Sequence, residues 1–278
     1  MPQTRSTLAS SSDRLSAPAV PVTVPEVQPT VHNNKEVLEY WNRANVESMY
    51  DKHLLKSEID LIRRHIPDSA KVLDAGCGEG EGTCVYCQIP GATVQAVDFS
   101  GTRLAKAAER LGKRDNVTLK KVDFLGSYDL DRDYNAIVSQ RFLINLVEWR
   151  LQQKVLSDLA SRLAKGGKLI LLEGSQQGVD ELNHLRVLLG LEPVPVKWHN
   201  LFLNDQALVE HLTSQGLTLE AHDGLGAFFV LTRGIRPALD SNLNWDSPFN
   251  LKAANPELAD LLGFGPRFSR LRLWVFRR

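Results

Sequence analysis

The stretch KVLDAGCGEGEGT, Lys71–Thr83, places Gly76, Gly78, Gly80 and Gly82 within seven positions directly after an apolar run. Val72 and Leu73 predict a strand, the glycines a turn, and the residues from Thr83 onward a helix. Glycine has no Cβ, so it takes positive φ freely and lets another molecule come close to the main chain, at an entropic cost. A turn this bare is expected where a ligand binds.

Outward from it, strands and helices alternate. VQAVD is followed by a helix from about Gly101, and VTLKKVD and YNAIVS by a helix over about Trp149–Leu163; KLILLEG then ends at Gly174. Apolar runs too short for helices, in repeated β-α order, predict an α/β fold with a mostly parallel sheet covered by helices on both faces. After Gly174 the regularity weakens. A helix around Val179–Leu189 leads to the Pro-rich EPVPVKWHN, then a helix over Asn204–Gln215, a strand TLEAH and a last strand in RLRLWVF. The segments near 174–203 and 236–268 are expected to be substrate-binding insertions in a domain spanning 71–278. Upstream, residues 31–70 repeat apolar positions at helical spacing until Pro67 and are read as N-terminal helices. Residues 1–30 hold five prolines and nine Ser or Thr and no aromatic residue, and are expected to be a disordered tail.

Lys+Arg and Asp+Glu are equal at 33 each, so no global field draws the chain to nucleic acid, which is not expected as a partner. No apolar run reaches the ~20 residues of a membrane span, and a cytoplasmic location is expected. Cys77, Cys84 and Cys87 do not make a disulfide framework. The Cys84-x-x-Cys87 pair has no second pair to complete a zinc site, and no metal is expected.

Two cofactor classes use a strand, a glycine turn and a helix in this order. A dinucleotide site wants G-x-G-x-x-G, with a pyrophosphate on the helix N-terminus. Here Glu81 stands at the third glycine position, and Glu79 and Glu81 set negative charge where a pyrophosphate would come. The second strand ends in Asp98, where a carboxylate can take both hydroxyls of a ribose. The third is read as ending in Asp123-Phe124, a polar group beside an aromatic wall that suits adenine.

Together these residues resemble class I S-adenosylmethionine-dependent methyltransferases over about Lys35 to the C-terminus. The resemblance implies a Rossmann-like seven-stranded mostly parallel sheet with an antiparallel last strand, and S-adenosyl-L-methionine as cofactor. It also implies Asp74, Gly76, Gly78 and Gly80 around the amino-acid part of that cofactor, Asp98 on its ribose, and Asp123 and Phe124 on its adenine. Ser139, at the end of the fourth strand, joins the cofactor set. Ser139 leaves that strand end without the Asp that metal-dependent catechol enzymes use.

SQRFLINLVEW and LEGSQQGVDELNHLRVLLGLEPVPVKWHN resemble bacterial methyltransferases of surface-polysaccharide and glycan biosynthesis. That resemblance implies O-methylation of a sugar, glycan or other small hydroxylated acceptor. A hydroxyl is a poor nucleophile near neutral pH and benefits from a base. His199 is the leading candidate, with Asn200 to orient a hydroxyl and Trp198 as a flat face for a sugar; the alternative is a loop histidine beside a core tryptophan. His184 is a lesser candidate for the same role. Glu173 is read either as a catalytic or substrate contact or as loop support. Arg141 is read as an anchor for an anionic group or as a salt bridge to Glu148 or Asp133. The C-terminal arginines, Arg267, Arg270, Arg272, Arg277 and Arg278, are read as a solvated edge with a phosphate or carboxylate as a second use. C- or N-methylation of a small metabolite, and a non-catalytic partner subunit of the same fold, are the alternatives. The oligomeric state is not legible.

Overall fold

The computed structural model describes residues 34–43, 45–46, 49–240 and 244–278. Residues 1–30, expected to be a disordered tail, lie outside the described residues.

Two helices precede the sheet, α1 (Asn34–Trp41) and α2 (Lys52–Arg63). There follow β1 (Lys71–Ala75), α3 (Glu81–Tyr86), β2 (Thr93–Asp98), α4 (Gly101–Leu111), β3 (Val117–Lys121) and β4 (Tyr134–Gln140). A 3-10 turn over Leu143–Asn145 leads to α5 (Trp149–Ser161), β5 (Leu163–Gly174), α6 (Gln176–Leu188), α7 (Asp205–Thr213) and β6 (Thr218–Gly224). The chain closes with α8 (Gly226–Phe229), a π-helical segment Val230–Ile235, α9 (Arg236–Leu239), α10 (Pro248–Ala253), α11 (Pro256–Leu262) and β7 (Leu271–Arg277).

The seven strands lie in the order β3-β2-β1-β4-β5-β7-β6. The pairs from β3 through β5 are parallel, and β7 runs antiparallel between β5 and β6. The strand order reverses beside β1, so the C-terminal ends of β1 and β4 diverge into a crevice, the usual ligand position in open α/β sheets. Alternation along the strands builds two cores. Val72, Val94, Val138, Ile170 and Val275 face α2, α3 and α4, whereas Leu73, Val97, Ile137, Leu169 and Phe276 face α5 and α7. Helix starts are fixed by side-chain caps: Asp51 accepts from Leu54 N–H, Ser100 from Arg103 N–H, Ser175 from Gly178 N–H and Asn204 from Ala207 N–H.

Three boundaries differ from the sequence reading. β3 stops at Lys121, two residues short of Asp123, so Asp123 sits in the following loop. The segment 236–268 is not a plain loop; Pro248 and Pro256 each start a short helix at the position where a missing N–H costs nothing. The helical segment 226–235, apolar nearly throughout and therefore without a helical stripe, was not predicted.

Candidate active site

A cavity of about 580 Å³ opens over the C-terminal ends of β1, β2 and β4 and the start of β7. Its floor at one end is the glycine turn. Gly76 (φ +73°), Gly78 (φ +56°) and Gly80 (φ +80°) all take left-handed backbone, and the N–H groups of Gly76 and Cys77 donate to Val97 O. A Cβ on Gly76 would collide with the Phe142 side chain at 2.5 Å. A Cβ on Gly78 would meet no protein atom within 4 Å, so this residue is bare toward open space.

Asp98 is buried beneath that turn. Its Oδ2 accepts from Gly78 N–H at 3.0 Å and its Oδ1 from Ser100 N–H at 2.8 Å. A carboxylate has lone pairs left after two such bonds, so the group fixes the turn and still offers acceptors to a ligand. Asp74, at the end of β1, accepts from Thr83 Oγ at 2.6 Å. Burial raises its pKa to about 6; the Thr83 hydrogen bond opposes this, and the charges of Asp98 and Glu81 add to it. Burial likewise raises the pKa of Asp98 against its hydrogen bonds to Ser100 and Gly78. Crowded carboxylates of this kind are relieved by a cationic ligand. Asp123 and Phe124 line the same end; Asp123 is exposed and accepts from Leu125 N–H, and the Phe124 ring lies 5.1 Å from that of Phe142.

The expectation that Glu79 and Glu81 repel a pyrophosphate needs correction. Glu79 is held by Arg103 (3.4 Å), Lys106 (3.0 Å) and Arg110 (3.7 Å), and Glu81 by Arg110 (3.0 Å). Their charge is largely balanced by α4, and the buried acidity of this end comes from Asp74 and Asp98.

Ser139 and Glu173 are both fully buried and do not line the cavity. Ser139 Oγ donates to Glu173 Oε1 at 2.6 Å, and Glu173 also accepts from the N–H groups of Phe142, Leu143 and Ile144. The structure thus places both side chains behind the cavity wall, where Glu173 takes the loop-supporting position that was one of its two readings. The pair caps the 3-10 turn that starts the acceptor wall. His184 is exposed on α6 and also lies outside the cavity lining.

His199, Asn200 and Arg141 do line the cavity, and Trp198 stands beside them with 43% of its surface exposed. The His199 ring is buried, stacked on Tyr40 at 4.6 Å and met edge-on by Trp41 and Trp198. Its Nδ1 has no hydrogen-bond partner among the described residues. Burial, helped by Lys197, lowers its pKa to about 4. Arg141, with a left-handed φ of +50°, pairs with buried Glu58 (Nε to Oε2, 3.0 Å), neither of the partners expected for it.

Sequence reasoning missed Asn145. Its Oδ1 accepts from Trp41 Nε1 and Asn200 Nδ2, and its Nδ2 donates to Arg141 O and Phe142 O. It thereby ties α1, the 3-10 turn and the 198–200 loop together. Arg186 and Arg233 were missed as well, and both line the cavity.

Residues 72–167 match the family model described as a methyltransferase domain. No protein of curated function matches the chain in sequence. Among solved structures, the [4+2]-cyclase SpnF aligns at TM-score 0.54 and 14% identity, over 88% of this chain and 92% of its own. An S-adenosylmethionine-dependent methyltransferase from Mesorhizobium loti aligns at TM-score 0.52 and 16% identity, over 80% and 98%. Magnesium protoporphyrin IX methyltransferase (ChlM) from Synechocystis PCC 6803 with bound SAM aligns at 0.52 and 14%, over 90% and 100%. At such identities the likeness is one of fold, and a fold that includes a cyclase does not fix a reaction. The glycine turn, Asp74 and Asp98 all lie within the segment that matches the methyltransferase domain model. No helix among the described residues is long and apolar enough to cross a membrane.

Proposed function

We propose that the chain is an S-adenosylmethionine-dependent methyltransferase, that it methylates a hydroxyl oxygen of a small hydroxylated acceptor, a sugar or a glycan end among them, and that His199 takes the hydroxyl proton. The observation that carries the reading is the buried imidazole in the cavity wall, its Nδ1 unpartnered among the described residues. The volume of about 580 Å³ lies within the range of small-molecule sites, which favours a compact acceptor or a chain end over a polymer laid across the surface.

S-adenosylmethionine, when bound, supplies an electrophilic methyl group and a neutral leaving group, and the protein is left with alignment and proton transfer. Gly76, Gly78, Asp74 and Asp98 would hold its amino-acid and ribose parts, with Asp123 and Phe124 beside the adenine. On the acceptor side, the aromatic faces of Tyr40, Trp41 and Trp198 offer flat apolar surface, and Asn200 offers a polar contact. With a pKa of about 4, His199 is neutral throughout the physiological range and keeps one ring nitrogen unprotonated. As the new C–O bond forms, the oxygen becomes positive and its proton strongly acidic. A weakly basic imidazole is then strong enough to accept it.

The test is incubation with methyl-labelled cofactor and a panel of hydroxylated acceptors, followed by mass spectrometric location of the label. Label on an ether oxygen supports the reading. Label on carbon or nitrogen overturns it.

A further inference from the structure

The acidic cofactor end has an electrostatic opposite at the other end of the cavity. Arg186 of α6, Arg233 of the π-helical segment and Arg270, just before β7, all line it. Arg233 is tied to Asp51 (Nη2 to Oδ2, 2.6 Å) and lies over the Trp245 ring at 4.1 Å, yet its Nη1 is buried without a hydrogen-bond partner among the described residues. Arg186 donates to the carbonyl oxygens of Glu192 and Arg233. The Arg270 guanidinium lies over Phe202 at 5.3 Å, and its side chain has no hydrogen bond or ion pair among the described residues. Among the described residues, Asp51 is the one carboxylate paired with any of these three guanidinium groups. Burial, and then repulsion from Arg233, pulls the Arg270 pKa down to about 10.

Arg272, two residues on, shows what an ordinary structural arginine does here: it pairs with both Glu181 and Asp205. Arg277 pairs with Glu220. A half-buried guanidinium facing another cation is costly unless an anion completes it. Planar, bidentate oxyanions suit guanidinium best.

We propose that Arg270, with Arg233 and Arg186, forms an oxyanion subsite that selects an acceptor bearing a carboxylate or phosphate. This rests on the reading of the cavity as the acceptor site. The subsite is separate from the cofactor's amino-acid end. In the sheet order β1-β4-β5-β7, at ~4.8 Å per strand, β5 lies about 10 Å and β7 about 14 Å from the glycine turn on β1. The aromatic faces of Phe202 and Trp245 beside the guanidiniums add a preference for an acid with a flat apolar body.

The experiment saturates the full chain with S-adenosylhomocysteine and titrates it by calorimetry with benzoate, phenyl phosphate and benzyl alcohol, three probes of one ring size. Benzoate or phenyl phosphate is expected to bind at least tenfold more tightly than the neutral alcohol, and whichever is tighter identifies the oxyanion. Arg270→Gln is expected to bring all three within threefold of one another, and Arg270→Lys to keep part of the preference. Sodium sulfate is expected to displace the anionic probe and leave the alcohol bound, a measurement that needs no variant. Equal binding of alcohol and anions by the wild type, or an undiminished preference in a folded Arg270→Gln, overturns the subsite. So does a tenfold loss of S-adenosylhomocysteine affinity in Arg270→Gln, which would assign the guanidinium to the cofactor's own carboxylate. Failure of the wild type to bind S-adenosylhomocysteine would sink the proposed function instead, and it is read before any probe is added.

Discussion

Ser139 donates its hydroxyl to Glu173 at 2.6 Å between the ends of β4 and β5, and both side chains are out of reach of water. Three backbone N–H groups converge on the same carboxylate, yet burial outweighs all four hydrogen bonds and raises its pKa to about 7. The folded chain therefore binds this proton more tightly than the unfolded chain, whose carboxyl has the ordinary value near 4.5. The contribution to stability is fully present below about pH 4.5 and is lost as pH rises through about 7, with a size of up to about 3 kcal/mol. Urea denaturation at pH 5 and pH 8 checks it. Glu173→Gln is expected to remove this downward slope; an unchanged slope in the variant would assign it to other groups.

Asp98 supports the glycine turn and, in the proposed function, the cofactor. Asp98→Ala removes the acceptors of Gly78 N–H and Ser100 N–H and every bond to a ligand hydroxyl. Hydrogen bonds to a charged group contribute about 1.5–3 kcal/mol, so affinity for S-adenosylhomocysteine is expected to fall at least tenfold. Calorimetry on the purified variant measures it. A Kd within threefold of wild type would show that the carboxylate holds the turn alone.

The parts of this site legible in the sequence are those made by contiguous residues. The strand, the glycine turn and the acid at the end of β2 are one local unit, because each glycine is required by its own backbone angle or by close approach. Glu173 was visible at a strand end, but its use was not: the N–H groups it accepts from belong to the 3-10 turn after β4, and only the sheet pairing brings them together. Arg270 and Arg272 look alike in the sequence. Their different roles depend on whether a carboxylate from α6 or α7 reaches them. The depressed pKa of His199 was not legible for a similar reason, since its burial involves Tyr40 and Trp41 on a helix at the far end of the chain.

That burial makes the pH dependence of catalysis specific. With His199 near 4, wild-type turnover is expected to be flat from pH 6 to pH 8, without the inflection near 6.5 of an ordinary imidazole. Because the folded value is depressed, the stability tied to this group is present above about 6.5 and is lost as pH falls toward 4. His199→Ala is expected to lower turnover by about 10² to 10⁴, with cofactor affinity within twofold of wild type. A wild-type inflection near 6.5 that disappears in the variant would mean that the aromatic cage opens to water during turnover.

Asn145 carries the last prediction, because it alone bonds to both α1 and the 198–200 loop among the described residues. Trp41 Nε1 donates to its Oδ1 at 2.9 Å and Asn200 Nδ2 at 3.2 Å, while its own amide donates to Arg141 O at 2.7 Å. Asn145→Ala leaves the Trp41 indole N–H without an acceptor and frees the wall that encloses His199. The loss of this half-buried hydrogen bond, about 1 kcal/mol, should appear as local opening of α1, since none of these bonds is made within the sheet. Hydrogen exchange is therefore expected to speed up at least tenfold over residues 34–41 and to stay unchanged in β1 and β4. Acceptor KM is expected to rise about fivefold or more while cofactor affinity holds. Asn145→Asp, which keeps the acceptor oxygens and loses the donors, should lie between wild type and the alanine variant in both measurements. Faster exchange across the whole sheet would show instead that Asn145 supports global stability, and no change in α1 would show that packing against His199 holds the helix without it.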